Sequence, residues 1–178
     1  FATDRSGQLW TSYLNEGVEV SGAEGPRSLG VGWEVLANAG PKLGSIVPLP
    51  GGTMLMTTDR GLLEVDPSTR ALMHIRTRHE GLPDDHVCSV VLEGDSAWWV
   101  STNKGLCRAV PIAGDARLRV RAYTTADGLQ SKEFNNRAWF RSASGRIYFG
   151  GINVFNPFPP DQVHDDLAPP PVRVIRLW

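Results

Sequence analysis

Four short strings in this chain are variants of one pattern, and that internal repeat limits the possible folds more than any other feature. They are Gly7-Gln8-Leu9-Trp10-Thr11-Ser12, Gly52-Thr53-Met54-Leu55-Met56-Thr57-Thr58, Ser96-Ala97-Trp98-Trp99-Val100-Ser101-Thr102 and Gly145-Arg146-Ile147-Tyr148-Phe149-Gly150. Three continue into a glycine and an apolar residue, at Gly17-Val18, Gly61-Leu62 and Gly105-Leu106, and the fourth runs into Gly150-Gly151-Ile152-Asn153. With Trp10, Leu55, Trp99 and Tyr148 taken as equivalent, the spacings are 45, 44 and 49 residues, close to the ~40–50 residues of one propeller blade. The segments are β-branched and aromatic, short, and bounded by Gly, Asp and Asn, which excludes a helical repeat.

Each unit therefore reads as a four-stranded antiparallel sheet, and the chain as all-β: about four β-propeller blades forming a partial ring. In the third unit the expected strands are 86–92, 97–101, 106–111 and 118–123; in the second they are 46–49, 54–57, 62–65 and 71–76. The inner strands are almost continuously apolar, as in Val90-Val91-Leu92 and Ala97-Trp98-Trp99-Val100. A blade requires this because both its faces pack on neighbours, whereas a sandwich strand would alternate. Pro48 falls on an innermost strand, whose free edge faces the channel and tolerates a residue without an N–H. The blades are expected at approximately 1–42, 43–84, 85–131 and 132–164 within a propeller segment spanning 1–164, with 165–178 forming a linker and the first strand of a following domain.

Composition agrees. Gly (19) and Pro (13) punctuate the chain too often for helices of ordinary length. The formal net charge is −1, with no basic stripe, so the electrostatic footprint of a nucleic-acid binder is missing. No apolar run approaches the ~18 residues of a membrane span, and no membrane contact is expected. The opening Phe1-Ala2-Thr3-Asp4 has no charged-then-apolar leader, as expected of a segment cut from a longer chain. Cys88 and Cys107 fall on the first and third strands of one sheet, roughly 9–10 Å apart at the ~4.8 Å strand spacing. That is too far to bridge, so both are expected to be free.

Glu80-Gly81-Leu82-Pro83-Asp84-Asp85-His86-Val87, followed by Trp98-Trp99-Val100-Ser101-Thr102 and Lys104-Gly105-Leu106, resembles the two-component regulator propeller repeat. Asp127-Gly128-Leu129-Gln130-Ser131-Lys132-Glu133-Phe134-Asn135, with Gly145 through Phe155-Asn156-Pro157, is similar to the last blade of that family's propellers. Pro169-Pro170-Pro171-Val172-Arg173-Val174-Ile175-Arg176-Leu177 is similar to the linker and opening strand of the immunoglobulin-like domain that follows them. The resemblance covers essentially the whole chain, is strong over 79–177 and loose around Trp33. It implies the periplasmic, ligand-sensing half of a two-component sensor, with a histidine kinase or other output domain elsewhere. It also implies seven or so blades, so the partners expected here are the remaining blades or a second copy of the chain, and a glycan or other small ligand.

Catalytic motifs are lacking. There is no Gly-x-Ser-x-Gly elbow, neither cysteine carries a nucleophile signature, and glycine-rich 145–151 is not followed by a helix. His86 beside Asp84-Asp85 and His164 beside Asp165-Asp166 read as solvated turn residues, not metal ligands. No cofactor and no metal are expected. Trp10 and Trp99 read as core, and Trp98, pointing the other way, as packed on the next blade. Trp139 lies near the channel on the first strand of the fourth blade, and Arg137 and Arg141 can line the channel mouth. These three are the candidate ligand-binding residues, with ordinary edge positions the simpler reading for the arginines; Asn135-Asn136 reads as a turn feature. A sensory binding module is thus weighed against a propeller-fold lyase or hydrolase and a pure interaction scaffold.

Overall fold

The computed structural model describes residues 1–13, 17–22, 25–28, 43–152 and 154–158. Among the described residues, fifteen strands form four separate antiparallel sheets, each in sequence order, and no α-helix occurs. The first sheet holds β1 (Ala2–Thr3), β2 (Leu9–Tyr13), β3 (Gly17–Gly22) and β4 (Gly25–Ser28). The second holds β5 (Ile46–Pro48), β6 (Met54–Thr58), β7 (Gly61–Val65) and β8 (Leu72–Arg76). The third holds β9 (Val87–Glu93), β10 (Ala97–Thr102), β11 (Gly105–Pro111) and β12 (Leu118–Tyr123), and the fourth holds β13 (Phe134–Arg141), β14 (Ile147–Gly151) and β15 (Val154–Phe158). The fourth sheet was expected to have four strands; three lie among the described residues, and 159–178, including His164 and the expected following-domain strand, lie outside them, as does Trp33.

The core lies between sheets, as blades require. Trp10, Val18 and Val20 of the first sheet pack on Met54, Met56, Leu63 and Val65 of the second. Leu55 and Leu62, on the second sheet's opposite face, meet Val90, Trp98, Val100, Cys107 and Ala109 of the third. Cys88, Val91, Trp99 and Leu106 then meet Phe134, Ile147 and Phe149 of the fourth. Strands β6 and β10 are buried at every position, because alternate side chains enter two different interfaces. Cys88 and Cys107 are buried and free, on opposite faces of one sheet.

One expectation is corrected. Trp98 packs backward, on the second sheet, with the Arg76 guanidinium 5.2 Å from its ring centroid; it is Trp99 that faces the next blade. Alternation separates the two faces of a strand, but only the order of blades around the axis decides which neighbour each face meets. Arg76 is 2% exposed and bonds Glu64 at 2.7 Å, so the Trp98 interface encloses a buried ion pair.

Turns repeat as faithfully as strands. Thr58 Oγ donates to the Gly61 carbonyl and accepts from the Arg60 N–H; Thr102 does the same with Gly105 and Lys104. Gly61 (φ 137°) and Gly105 (φ 121°) leave no room for a Cβ, which would stand 2.6 Å from the Arg76 and Tyr123 carbonyls respectively. The lead-ins to the third and fourth sheets are single 3₁₀ turns, Arg78–Glu80 and Thr125–Asp127. Thr77 with Glu80, and Thr124 with Asp127, close each turn by reciprocal side chain–backbone bonds. Leu82 and Leu129 that follow pack into the interfaces behind them.

Candidate functional site at the channel-side bulge

The first strand of the fourth sheet departs from the repeat. On β13, Phe134 pairs with Gly151 and Trp139 with Phe149, so Asn135 through Ala138 stand opposite Gly150 alone. Gly150 is needed there, since a Cβ would sit 3.0 Å from that of Ala138. Within the bulge Arg137 adopts a left-handed conformation, φ 60°, uncommon for a residue with a side chain. A bulge bends its strand and re-aims side chains, and this one sends three toward other blades or across its own sheet.

Arg137 reaches furthest. Its Nη2 donates to Ser12 Oγ at 3.0 Å, on the first sheet, and to the Leu43 carbonyl at 2.9 Å, on the lead-in to the second. Ser12 Oγ donates in turn to the Gly44 carbonyl at 3.0 Å. Gly44 lies so close to Thr57 that a Cβ would come 2.2 Å from its hydroxyl, and Ser45 N–H donates to the same hydroxyl at 2.8 Å. Arg137 therefore ties the fourth blade to the first two, with no carboxylate partner among the described residues. Asn136 Oδ1 lies 3.2 Å from His86 Nε2 on the third sheet's lead-in, and Asn135 Nδ2 donates to the Gly151 carbonyl at 3.2 Å.

His86 belongs to a small polar network. Its N–H donates to Asp84 Oδ1 at 3.0 Å, and Asp84 Oδ2 pairs with Lys104 Nζ at 2.9 Å. Burial pushes the Asp84 carboxyl up, but bonds from Lys104 and the His86 N–H, with the positive charges of Lys104 and Arg78, outweigh it and hold the group below its ordinary value. No group of three or more metal-ligating side chains occurs among the described residues. Burial raises the Cys88 thiol to about 12, and its Sγ donates to the Phe134 carbonyl at 3.1 Å, so it stays protonated as a small core group. The cluster offers a guanidinium, an imidazole, amides and a hydroxyl: hydrogen-bonding chemistry suited to recognition.

The three residues singled out from the sequence do not converge. Arg137 turns toward the first two blades, and Arg141 donates to the Leu92 carbonyl of β9. Trp139, 40% exposed, stands between them on β13. Ser12 and the His86–Asn136 pair escaped sequence reasoning, because their contacts to the bulge span 125 and 50 residues of chain. The one trace of the bulge in the sequence is the longer last repeat spacing, 49 against 45 and 44.

No protein-family model matches the chain, and no curated protein sequence does. Solved structures do match. The extracellular domain of BT3049 from B. thetaiotaomicron, assigned as a hybrid two component system, superposes with a TM-score of 0.71 at 23% identity, over 90% of this chain and 21% of that one. The extracellular domain of BT4673 from the same organism, assigned in one structure as a one component system and in another as a hybrid two component system, gives 0.65 at 14% identity, over 90% and 23%. The chain spans roughly a fifth of the length of these neighbours. At such identities the likeness is one of architecture: this chain is a run of β-propeller blades arranged like a segment of those extracellular domains.

Proposed function

We propose that this chain is an extracytoplasmic sensory segment of a two-component-type receptor, and that it recognises a polar ligand at the channel-side bulge without transforming it. The observation that carries this reading is the fold match along 90% of the chain to extracellular domains assigned to such systems. Two features support it: the resemblance of the lead-in and last-blade strings to the propeller repeat, and a bulge from which Asn136 meets His86 while Arg137 reaches Ser12 and Leu43. A glycan is the ligand class that the resemblance implies. The outward face of the fourth sheet, with Phe140 62% and Phe155 73% exposed, is read as the seat of a further blade or of a second copy.

The test is a thermal-shift and calorimetric screen of the purified chain against an oligosaccharide panel, repeated with Arg137→Ala. A saturable rise in Tm that the variant loses is the expected result, since selective binding to the folded state stabilises it. Consumption of any sugar by the chain would transfer the assignment to a propeller-fold lyase or hydrolase. Self-association with no shift across the panel would leave a scaffold.

A further inference from the structure

A cavity that shares no lining residue with the bulge lies between turns of the first two blades. It measures about 450 Å³ and is walled by three turns, at 4–8, 51–53 and 66–70. Two arginines line it from different blades. Arg5 extends over the Gly52 backbone, where a Cβ would lie 3.5 Å from its Cδ and Nη1. Arg70 ends the β7–β8 turn at φ 60°, one of only two non-glycine residues with positive φ among the described residues.

The carboxylates of the same wall are already committed to their own turns. Asp4 Oδ1 accepts from Ser6 N–H, Ser6 Oγ and Gln8 N–H, and its Oδ2 accepts from the Trp10 indole at 2.7 Å. Burial pushes that carboxyl up, but these four bonds prevail and keep it ionised below its ordinary value. Asp66 Oδ1 accepts from Ser68 N–H, Ser68 Oγ and Thr69 N–H. Neither Arg5 nor Arg70 has a hydrogen-bond or ion-pair partner among the described residues. Each wall acid is thus satisfied by backbone and neighbouring side chains, while each wall cation has its donors open. Arginine is rare at a left-handed position, and glycine or asparagine would sit there with less strain.

We infer that this inter-blade cavity binds an oxyanion, a carboxylate or a sulfate, through Arg5 and Arg70. The planar fork of guanidinium donors matches both groups. The wall's formal charges cancel, so recognition rests on directed donors and not on a broad positive field. The inference is independent of the sensory reading, because it concerns a different surface and different residues.

The decisive measurement titrates the chain with sodium sulfate and with sodium acetate, against sodium chloride at matched ionic strength, by calorimetry and thermal shift. Saturable binding of sulfate or acetate, but not chloride, is expected, and which of the two binds tighter identifies the oxyanion. Arg5→Gln and Arg70→Gly should each weaken binding at least about tenfold. Arg70→Gly is the sharper variant: relief of the left-handed strain should leave the fold as stable or more so, so lost binding cannot be attributed to unfolding. Retention of full oxyanion affinity in Arg70→Gly, or an equal response to chloride, would overturn the assignment.

Discussion

The third and fourth sheets are built from the same repeat, yet their equivalent residues meet opposite surroundings. Trp99 and Tyr148 occupy one position of the second strand. Trp99 is 1% exposed, with its ring centroid 5.5 Å from that of Tyr123, and faces the fourth sheet. Tyr148 is only half-buried; its ring lies 6.1 Å from Phe140, which is open to solvent, as is Phe155. The residue type belongs to the repeat, but burial belongs to whatever stands beside the blade. A propeller blade has no core of its own: each apolar face is completed by the next sheet.

The largest test of this contrast is truncation of the two rings. Trp99→Ala should cost about 3–5 kcal/mol, the usual range for emptying a large buried aromatic site. Tyr148→Ala should cost under about 1 kcal/mol, as at an incompletely covered surface. Urea denaturation of both variants measures the difference, and equal losses would show that the outward face is already covered.

Backbone gives a second contrast. Gly105→Ala would drive a Cβ to 2.6 Å from the Tyr123 carbonyl at φ 121°, so a loss of about 3 kcal/mol is expected, the upper range for local strain. Gly145→Ala in the fourth sheet, at φ 84° with nothing within 4 Å, should cost about 1 kcal/mol from left-handed strain alone. The same denaturation series resolves the two, and a milder effect at Gly105 would mean that the β11–β12 approach relaxes.

The lead-ins should respond alike, which sharpens the contrast by locating where it stops. Thr77→Ala and Thr124→Ala each remove the side-chain cap and the hydroxyl's bond to the Glu80 or Asp127 carboxylate, leaving only the backbone N–H bond to it, at about 1 kcal/mol apiece. Faster hydrogen exchange at the Glu80 and Asp127 amides should accompany each loss.

The smallest effect is acid sensitivity. Asp84 carries the paired carboxylate of the third lead-in, and Ser131 stands at the matching place in the fourth. Because the Asp84 carboxyl is held below its ordinary value of 3.8, its contribution is complete above that value and disappears as pH falls through the lowered one. A pH series of melting temperatures below about 4 should therefore show a steeper decline in the native chain than in Asp84→Asn; parallel curves would remove Asp84 from the account.

Much of the architecture was legible in the residues. The third-sheet strands expected at 97–101 and 118–123 appear as Ala97–Thr102 and Leu118–Tyr123, because turn glycines and apolar runs are local signals. Burial of Trp10 and Trp99 followed from their place in the repeat. The partner of Trp98 did not, since it depends on which blade lies behind it. The bulge was equally hidden: Asn135-Asn136 reads as a turn in sequence, and only pairing with β14 reveals four residues set against one.

From its sequence alone this protein is all-β, repeats about every 45 residues, and presents strands whose two faces are both apolar, since composition, periodicity and turn chemistry act over a few residues at a time. Only the tertiary structure decided what those faces meet and where Arg137 goes. Its bonds to Ser12 and Leu43 join residues 125 and 94 positions apart, and such contacts exist only once whole blades have packed around one axis.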